Sequence, residues 1–322
     1  MMAKVRNKLH GWLVIDKPLG LGSTQALGKV KWLLKPEKAG HGGTLDPLAT
    51  GLLPIALGEA TKTVNWAMDG TKTYRFAVRW GAETSTDDLE GEITNTYRNA
   101  SLDDAALMLR SMDFAAMQHE LAATLPQFHG AVQQLPPAYS AIKVDGERAY
   151  NLARAGETVE LASRSVQIDS VKIIEWRTSP TLETVFEVTC GKGTYVRSLA
   201  RDMGRATGWL GHVVELRRTR VGPFLEADAI SLEKLEEIVH RDASENSLLG
   251  ILRPLSTVLD GIPALAVMDP DAQRLRQGQS VLLRGSSAPV AAAAVLVTHR
   301  GQPLGICSIE QGSLKTKRLF NL

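Results

Sequence analysis

Asp46 is the residue best placed by its surroundings to do chemistry. It sits in the glycine-dense run GHGGTLDPLATGLLP, from Gly40 to Pro54. Pro47 restricts the residue before it to extended backbone, which keeps Asp46 out of any helix. Gly42, Gly43 and Gly51 let the main chain pass close to another body. A carboxylate on such a loop can serve as nucleophile or proton acceptor toward a bound ligand; an Asp-Pro turn is the plain alternative. A second group begins at Lys192-Gly193-Thr194, which leads into a helix with Tyr195 and Arg197 near its start. Backbone N–H groups at a helix N-terminus favour anions. Arg197 offers a planar fork for a carboxylate or phosphate, or else makes a surface salt bridge. Tyr74 either packs in the core or presents a ring that stacks on an unpaired base. His41 stands alone, and Leu216 reads by default as core.

Other chemistries find little support. The seven histidines show no H-x-x-x-H spacing, and Cys190 and Cys307 lie far apart. No metal and no disulfide framework are expected, and both thiols read as small buried apolar groups. There is no G-x-x-x-x-G-K-[ST] loop and no convincing G-x-G-x-x-G, so no nucleotide cofactor is expected either. Hydrophobic residues make up 44% and charged residues 22%, the mix of a soluble globular chain. No run of 18 apolar residues suggests a membrane span. The apolar part of the basic N-terminus, Trp12 to Ile15, is too short for a signal peptide, so a cytoplasmic address is expected by default.

The net charge is +2, but it is unevenly spread. Lys29, Lys31, Lys35 and Lys38 cluster early. Between Lys192 and Arg220 stand seven basic residues against Asp202 and Glu215, and the stretch from Glu226 to Glu245 reverses the sign. Such segregation fits either a polyanion-binding face or ordinary solvated helix faces.

Several elements must carry these residues. Trp12 to Ile15 reads as a strand, stopped by Asp16-Lys17-Pro18. Ser23 or Thr24 is expected to cap a helix bearing Leu27, Val30, Leu33 and Leu34, ended by Pro36. Thr73 to Trp80 alternates as a half-buried strand, with Tyr74 its first aromatic. Asp103 to Met117 reads as one helix, and Ala149 to Ala155 as a short one. Val159 to Trp176 and Leu182 to Cys190 read as strands. Thr194 to Ala206 is a helix with Val196, Leu199, Ala200 and Met203 on one face, and Ser231 to Val239 repeats the pattern. Beyond Pro254, short apolar runs at Ser280 to Leu283, Val290 to Thr298 and Leu304 to Ile309 alternate with turns, as in a small β-barrel.

Order and spacing add what single residues lack. GHGGTLDPLATGLLPIALGEATK, from Gly40 to Lys62, closely resembles the catalytic motif of the TruB family of pseudouridine synthases. Lys72-Thr73-Tyr74, PPAYSAIKVDGERAYNLAR from Pro136 to Arg154, CGKGTYVRSLARDMG from Cys190 to Gly204, and LRRTRVGPF from Leu216 to Phe224 follow in the family's order. The resemblance covers roughly residues 10 to 225 and departs at GLGSTQ, Gly20 to Gln25, where a Thr-Ser pair is more usual. It implies an α+β pseudouridine synthase fold: a central mixed, largely antiparallel sheet flanked by helices and loops, plus a small C-terminal PUA-like β-barrel. The corresponding units are residues 1–251, catalytic, and 252–322, RNA-binding. It implies isomerisation of one T-loop uridine in tRNA by a monomer that needs no cofactor and no protein partner. Asp46 matches the catalytic aspartate, Tyr74 the tyrosine stacking on the target base, and Arg197 the arginine pairing with the aspartate. His41, Tyr195 and Leu216 match residues around the extruded uridine. Two other readings remain: the same chemistry on another RNA, and an RNA-binding or RNA-folding protein whose catalysis is secondary or lost.

Overall fold

The computed structural model describes residues 6–140, 142–144, 147–149, 152, 161–242, 245–285 and 288–322. Seven residues of the segment from Pro136 to Arg154, and five of the seven in the helix expected at Ala149 to Ala155, lie outside the described residues.

A ten-stranded sheet organises the chain. Its strands are β1 (Gly11–Lys17), β2 (Ala39–His41), β3 (Ala49–Leu57), β4 (Lys72–Trp80), β5 (Gly130–Gln134), β6 (Arg164–Arg177), β7 (Glu183–Cys190), β8 (Gly211–Val221), β9 (Phe224–Leu225) and β10 (Ile230–Ser231). The main path runs β10-β1-β3-β8-β4-β7-β6-β5, with β2 on β3 and β9 on β8. Within this sheet, only β1 with β10 and β3 with β8 pair in parallel among the described strands, so it is mixed and largely antiparallel, as the resemblance implies.

The apolar runs of β1 and β3 follow from cover on both faces. Side chains alternate across a strand. Leu13, Ile15, Leu53 and Ile55 meet helices α1 (Ser23–Leu34) and α5 (Leu232–Arg241) through Val30, Leu33 and Leu235. Trp12, Val14, Leu52 and Ala56 face the other way, into a cluster that includes Leu255, Leu259, Leu296, Ile306 and Phe320. The chain's last third thus packs into the same core as its first strand. Trp12 and Arg253 also exchange two backbone hydrogen bonds of 2.8 Å.

A third cluster covers the β4–β7 end of the sheet. Phe76, Val78, Trp80 and Phe186 pack against helices α2 (Leu102–Arg110), α3 (Phe114–Thr124) and α4 (Val196–Thr207). The single helix expected at Asp103 to Met117 is two. Asp113 breaks it by accepting from the N–H groups of Ala115 and Ala116, which caps the second. Val196, Leu199, Ala200 and Met203 of α4 are all buried, as their spacing implies.

The C-terminal unit is a five-stranded sheet of β11 (Ala264–Val267), β12 (Val281–Leu282), β13 (Ala292–His299), β14 (Gln302–Glu310) and β15 (Ser313–Leu319), ordered β11-β13-β14-β15-β12. Helix α6 (Asp269–Arg276), whose Ala272 and Leu275 are buried, joins its core. Neither α6 nor the strands β11 and β15 were among the expected elements. Cys190 and Cys307 are free and buried, in agreement with their apolar reading.

Candidate active site

Asp46 lies in the link between β2 and β3, and three side chains from elsewhere pin that link. The Ser23 hydroxyl accepts from the Leu45 N–H at 2.7 Å and donates to the Leu45 carbonyl at 2.8 Å. Ser23 is therefore not the helix cap; Gly22 is, with the Gln25 side chain accepting from its N–H. The fully buried Lys17 ammonium donates to the carbonyls of Leu21 at 2.6 Å, Pro18 at 3.0 Å and Pro47 at 3.4 Å. Burial pulls its pKa down to about 8, with Asp46 acting in the opposite direction. Arg218, also buried, donates to the carbonyls of Leu52, Gly43 and Thr44 at 2.9, 3.1 and 3.2 Å.

One glycine is indispensable to this packing. Gly51 has φ +96°, and a Cβ there would stand 2.2 Å from the Arg218 carbonyl oxygen. Gly51→Ala should cost at least about 3 kcal/mol through strain and overpacking. Urea unfolding checks this; a loss under about 1 kcal/mol would show that β3 and β8 can separate cheaply.

Arg197 comes from the first turn of α4. Its Nη2 lies 2.8 Å from Asp46 Oδ2 and donates to the Tyr139 carbonyl at 3.1 Å. Its Nη1 donates to the Thr86 carbonyl at 3.0 Å and lies 3.5 Å from Asp88 Oδ2. The arginine side chain is 6% exposed and the Asp46 side chain 41%. The guanidinium is thus fixed beneath a carboxylate that opens outward.

The carboxylate opens onto a cavity of about 330 Å³ whose walls include Asp46, Tyr74, Tyr195, Arg197, Leu216 and Met68. Sheet register explains how distant residues meet. Strand β8 lies between β3 and β4, so Leu216 pairs with both Ala49 and Phe76, and Arg218 with both Gly51 and Tyr74. Burial pushes the Tyr74 phenol above its ordinary value, while Arg218 beside it pulls back. Burial likewise raises Tyr195, with Ser140 opposing. An adjoining hollow of about 590 Å³ shares Tyr74 and Tyr195 and carries Lys72, Arg164, Lys192 and Arg218. Asp46 and Arg197 also border another hollow, with Asp88, Glu90 and Glu92. The site therefore has a basic flank and an acidic one.

Residues 31–196 match the N-terminal domain of TruB family pseudouridylate synthase. The chain belongs to the TruB family. Residues 197–260 match the tRNA pseudouridylate synthase B C-terminal domain, and residues 263–320 the C-terminal domain of pseudouridine synthase II TruB. The chain is 51% identical to tRNA pseudouridine synthase B of Bradyrhizobium diazoefficiens, over 98% of this chain and 87% of that one. It is 48% identical to tRNA pseudouridine synthase B of Brucella melitensis, over 97% and 96%. An archaeal box H/ACA sRNP Nop10-Cbf5 complex contains a chain of the same fold, with TM-score 0.69 at 21% identity, covering 97% of this chain and 86% of that one.

Of the six residues that the TruB resemblance singles out, Asp46, Tyr74, Tyr195, Arg197 and Leu216 wall one cavity. His41 is not among its walls. It lies on β2, paired with Ile55, with its Nδ1 buried and its pKa lowered by burial and by Arg218. Reading by residue type missed the supports: Ser23, Lys17, Asp88 and the structural use of Arg218. Lys17 carried a signal, as a charge closing the apolar run of β1; Arg218, within the polar stretch Arg217 to Arg220, did not. Ser23 and Asp88 carried none.

The basic run from Lys192 to Arg220 is not one free polyanion face. Arg197, Arg201 and Arg218 are buried, Arg205 pairs with Glu83, and Arg217 pairs with Asp16 and Glu226. The early cluster also divides. Lys29 pairs with Glu236 of α5, whereas Lys31, Lys35 and Lys38 border a separate hollow of about 650 Å³ beside the exposed Trp32.

Proposed function

We propose that this chain converts one T-loop uridine of tRNA to pseudouridine, with Asp46 as nucleophile. The observation that carries the reading is the Asp46–Arg197 pair at the wall of a cavity lined by two tyrosines and an apolar Leu216. Family membership and the relatives' names support the reaction and the tRNA substrate. We assign residues 1–251 to catalysis and 252–322 to a PUA-like RNA-binding unit. The chain acts as a monomer in the cytoplasm, without cofactor or obligatory protein partner. No helix among the described residues is long and apolar enough to cross a membrane.

A uracil enters such a cavity only after leaving its stack, which costs a few kcal/mol in a duplex and less in a loop. Tyr74 supplies a replacement stacking surface, and Leu216 and Tyr195 enclose the base. His41, outside the cavity walls, contacts neighbouring RNA. Phosphates flanking the flipped nucleotide meet the basic flank with Arg164 and Lys192, away from Asp88, Glu90 and Glu92. The reaction breaks N1–C1′, turns the base, and joins C5 to C1′; the C5 proton leaves and N1 gains one, so nothing is oxidised or hydrolysed. Asp46 attacks C1′, adds to C6, or removes a C2′ proton; all three routes need the carboxylate at this wall. Arg197 holds it there.

We assign Tyr74, on the cavity wall, as the candidate base for the departing C5 proton. Because burial favours its neutral phenol, it must be helped by the Arg218 guanidinium beside it. Tyr74→Phe keeps the ring and should slow turnover about 10²-fold or more. Equal turnover would leave Tyr74 a stacking role only.

The direct test is tritium release from tRNA labelled at uracil C5. About one equivalent per tRNA, lost when the T-loop uridine is replaced, is the expected result. A folded, tRNA-binding preparation that releases none would favour the binding-protein reading or another RNA.

A further inference from the structure

Arg197, Arg201 and Arg205 stand at four-residue spacing on α4, so they form one row along the helix. Each reaches a carboxylate on the segment 83–88. Arg197 Nη1 lies 3.5 Å from Asp88, Arg201 Nη1 3.0 Å from Asp87, and Arg205 Nε 2.6 Å from Glu83. The middle pair is absent from the cavity walls, yet its side chains are only 8% and 9% exposed. Burying an ion pair costs desolvation that its attraction offsets only in part. Burial indeed lifts the Asp87 carboxyl to about 6, against the pull of Arg201. Asp87 also sits at φ 60°, a backbone region that L residues seldom occupy.

What the pair touches shows its use. Arg197 takes two backbone acceptors, Thr86 O and Tyr139 O. Arg201 takes Asp87, the next residue after Thr86, and the Leu135 carbonyl at 2.8 Å, four residues before Tyr139. The two guanidinium groups therefore stitch the same two segments to α4, one helical turn apart. The Asp87 carbonyl also accepts from the Val213 N–H at 3.0 Å, which ties the segment to β8. If segment 84–88 shifted, Arg197 would lose an acceptor or follow it.

We infer that Arg201 and Asp87 are positioning residues: they clamp segments 84–88 and 135–139 so that Arg197 presents its guanidinium to Asp46 at one fixed angle. The inference rests on the proposed roles of Asp46 and Arg197. Neither clamp residue touches the cavity, so their loss should reach catalysis only through Arg197.

The test compares the full chain with Asp87→Asn, Arg201→Lys, Arg201→Met and the Asp87→Asn/Arg201→Met double variant. Asn tolerates the backbone region of Asp87, so the first variant changes charge with little strain. Single-turnover tritium release from a T-arm hairpin should fall between about tenfold and a hundredfold in Asp87→Asn. The hairpin Kd should stay within about twofold, because no RNA contact is removed. The double variant should be no slower than the slower single by more than about twofold, since one clamp is lost either way. Arg201→Lys keeps the charge but not the planar fork that serves Asp87, Asp202 and the Leu135 carbonyl, and should fall in between. In the free protein, the ¹⁵N resonances of the Arg197 guanidinium should shift and broaden in Asp87→Asn. Melting curves establish that each variant is folded. A folded Asp87→Asn with unchanged rate and unchanged Arg197 resonances overturns the clamp, as does a parallel loss of rate and affinity. Absence of release from the wild-type chain would instead overturn the proposed reaction, and the Arg197 resonances would still decide the clamp.

Discussion

Asp46→Asn should reduce single-turnover isomerisation by at least about 10⁴-fold, the scale seen when a group central to covalent catalysis is removed. The substitution keeps shape and removes charge. Its loop is held by Ser23, Lys17 and Arg218 through backbone carbonyls and the Leu45 N–H, none of which uses the Asp46 carboxylate. The fold and the cavity should therefore survive, and with Asp46 two-fifths exposed the cost in stability should be small. Affinity for tRNA should change little, because the basic flank proposed to meet phosphate is untouched. Tritium release and filter binding on the same preparation check both halves. A residual rate above about one-hundredth of wild type, two orders of magnitude over the loss expected, would place the nucleophile elsewhere. Any assistance to tRNA folding would persist in this variant, which separates that role from the chemistry.

Arg197→Lys should lower the rate about 10²-fold. One guanidinium here serves four acceptors: Asp46, Asp88, Thr86 O and Tyr139 O. An ammonium is a point charge with no planar fork, and it cannot face two carboxylates and two carbonyls spread over three segments. Arg197→Met is harsher. It leaves the buried Asp88 without its cation, and losing one partner of a buried pair typically costs about 3–5 kcal/mol. Turnover and urea unfolding of the two variants separate the contributions: lysine should hurt the rate more than the stability, methionine both. Near-wild-type turnover in Arg197→Lys would reduce Arg197 to a structural cation.

Much of the frame was legible before any coordinates. The apolar run at Trp12 to Ile15, the alternation at Tyr74 to Trp80 and the face of Val196, Leu199, Ala200 and Met203 each reflect a local period, and local periods survive folding. Long motifs around Asp46, Tyr74 and Arg197 were equally plain, because a catalytic loop constrains many consecutive residues at once. The helix expected at Asp103 to Met117 failed for a local reason, the capping geometry of Asp113, which periodicity does not register.

Other features depend on partners far away in the chain. Ser23 looked like a helix cap and instead holds Leu45, because the turn after β1 brings it to the Asp46 loop. Arg201 and Arg218 looked like members of a phosphate-binding run and are buried on carboxylate and carbonyl oxygens. A side chain's charge is written in its type, but whether that charge faces water, RNA or another buried group depends on which strands become neighbours. By itself the sequence determined the family, singled out Asp46 as the carboxylate proposed to react, and indicated most of the helices but fewer than half of the strands named above. Only the tertiary structure decided that β8 lies between β3 and β4, which sets Leu216 and Arg218 against Tyr74 and the Asp46 loop. Non-local pairing of this kind is governed by sheet order, and sheet order leaves no period in the chain.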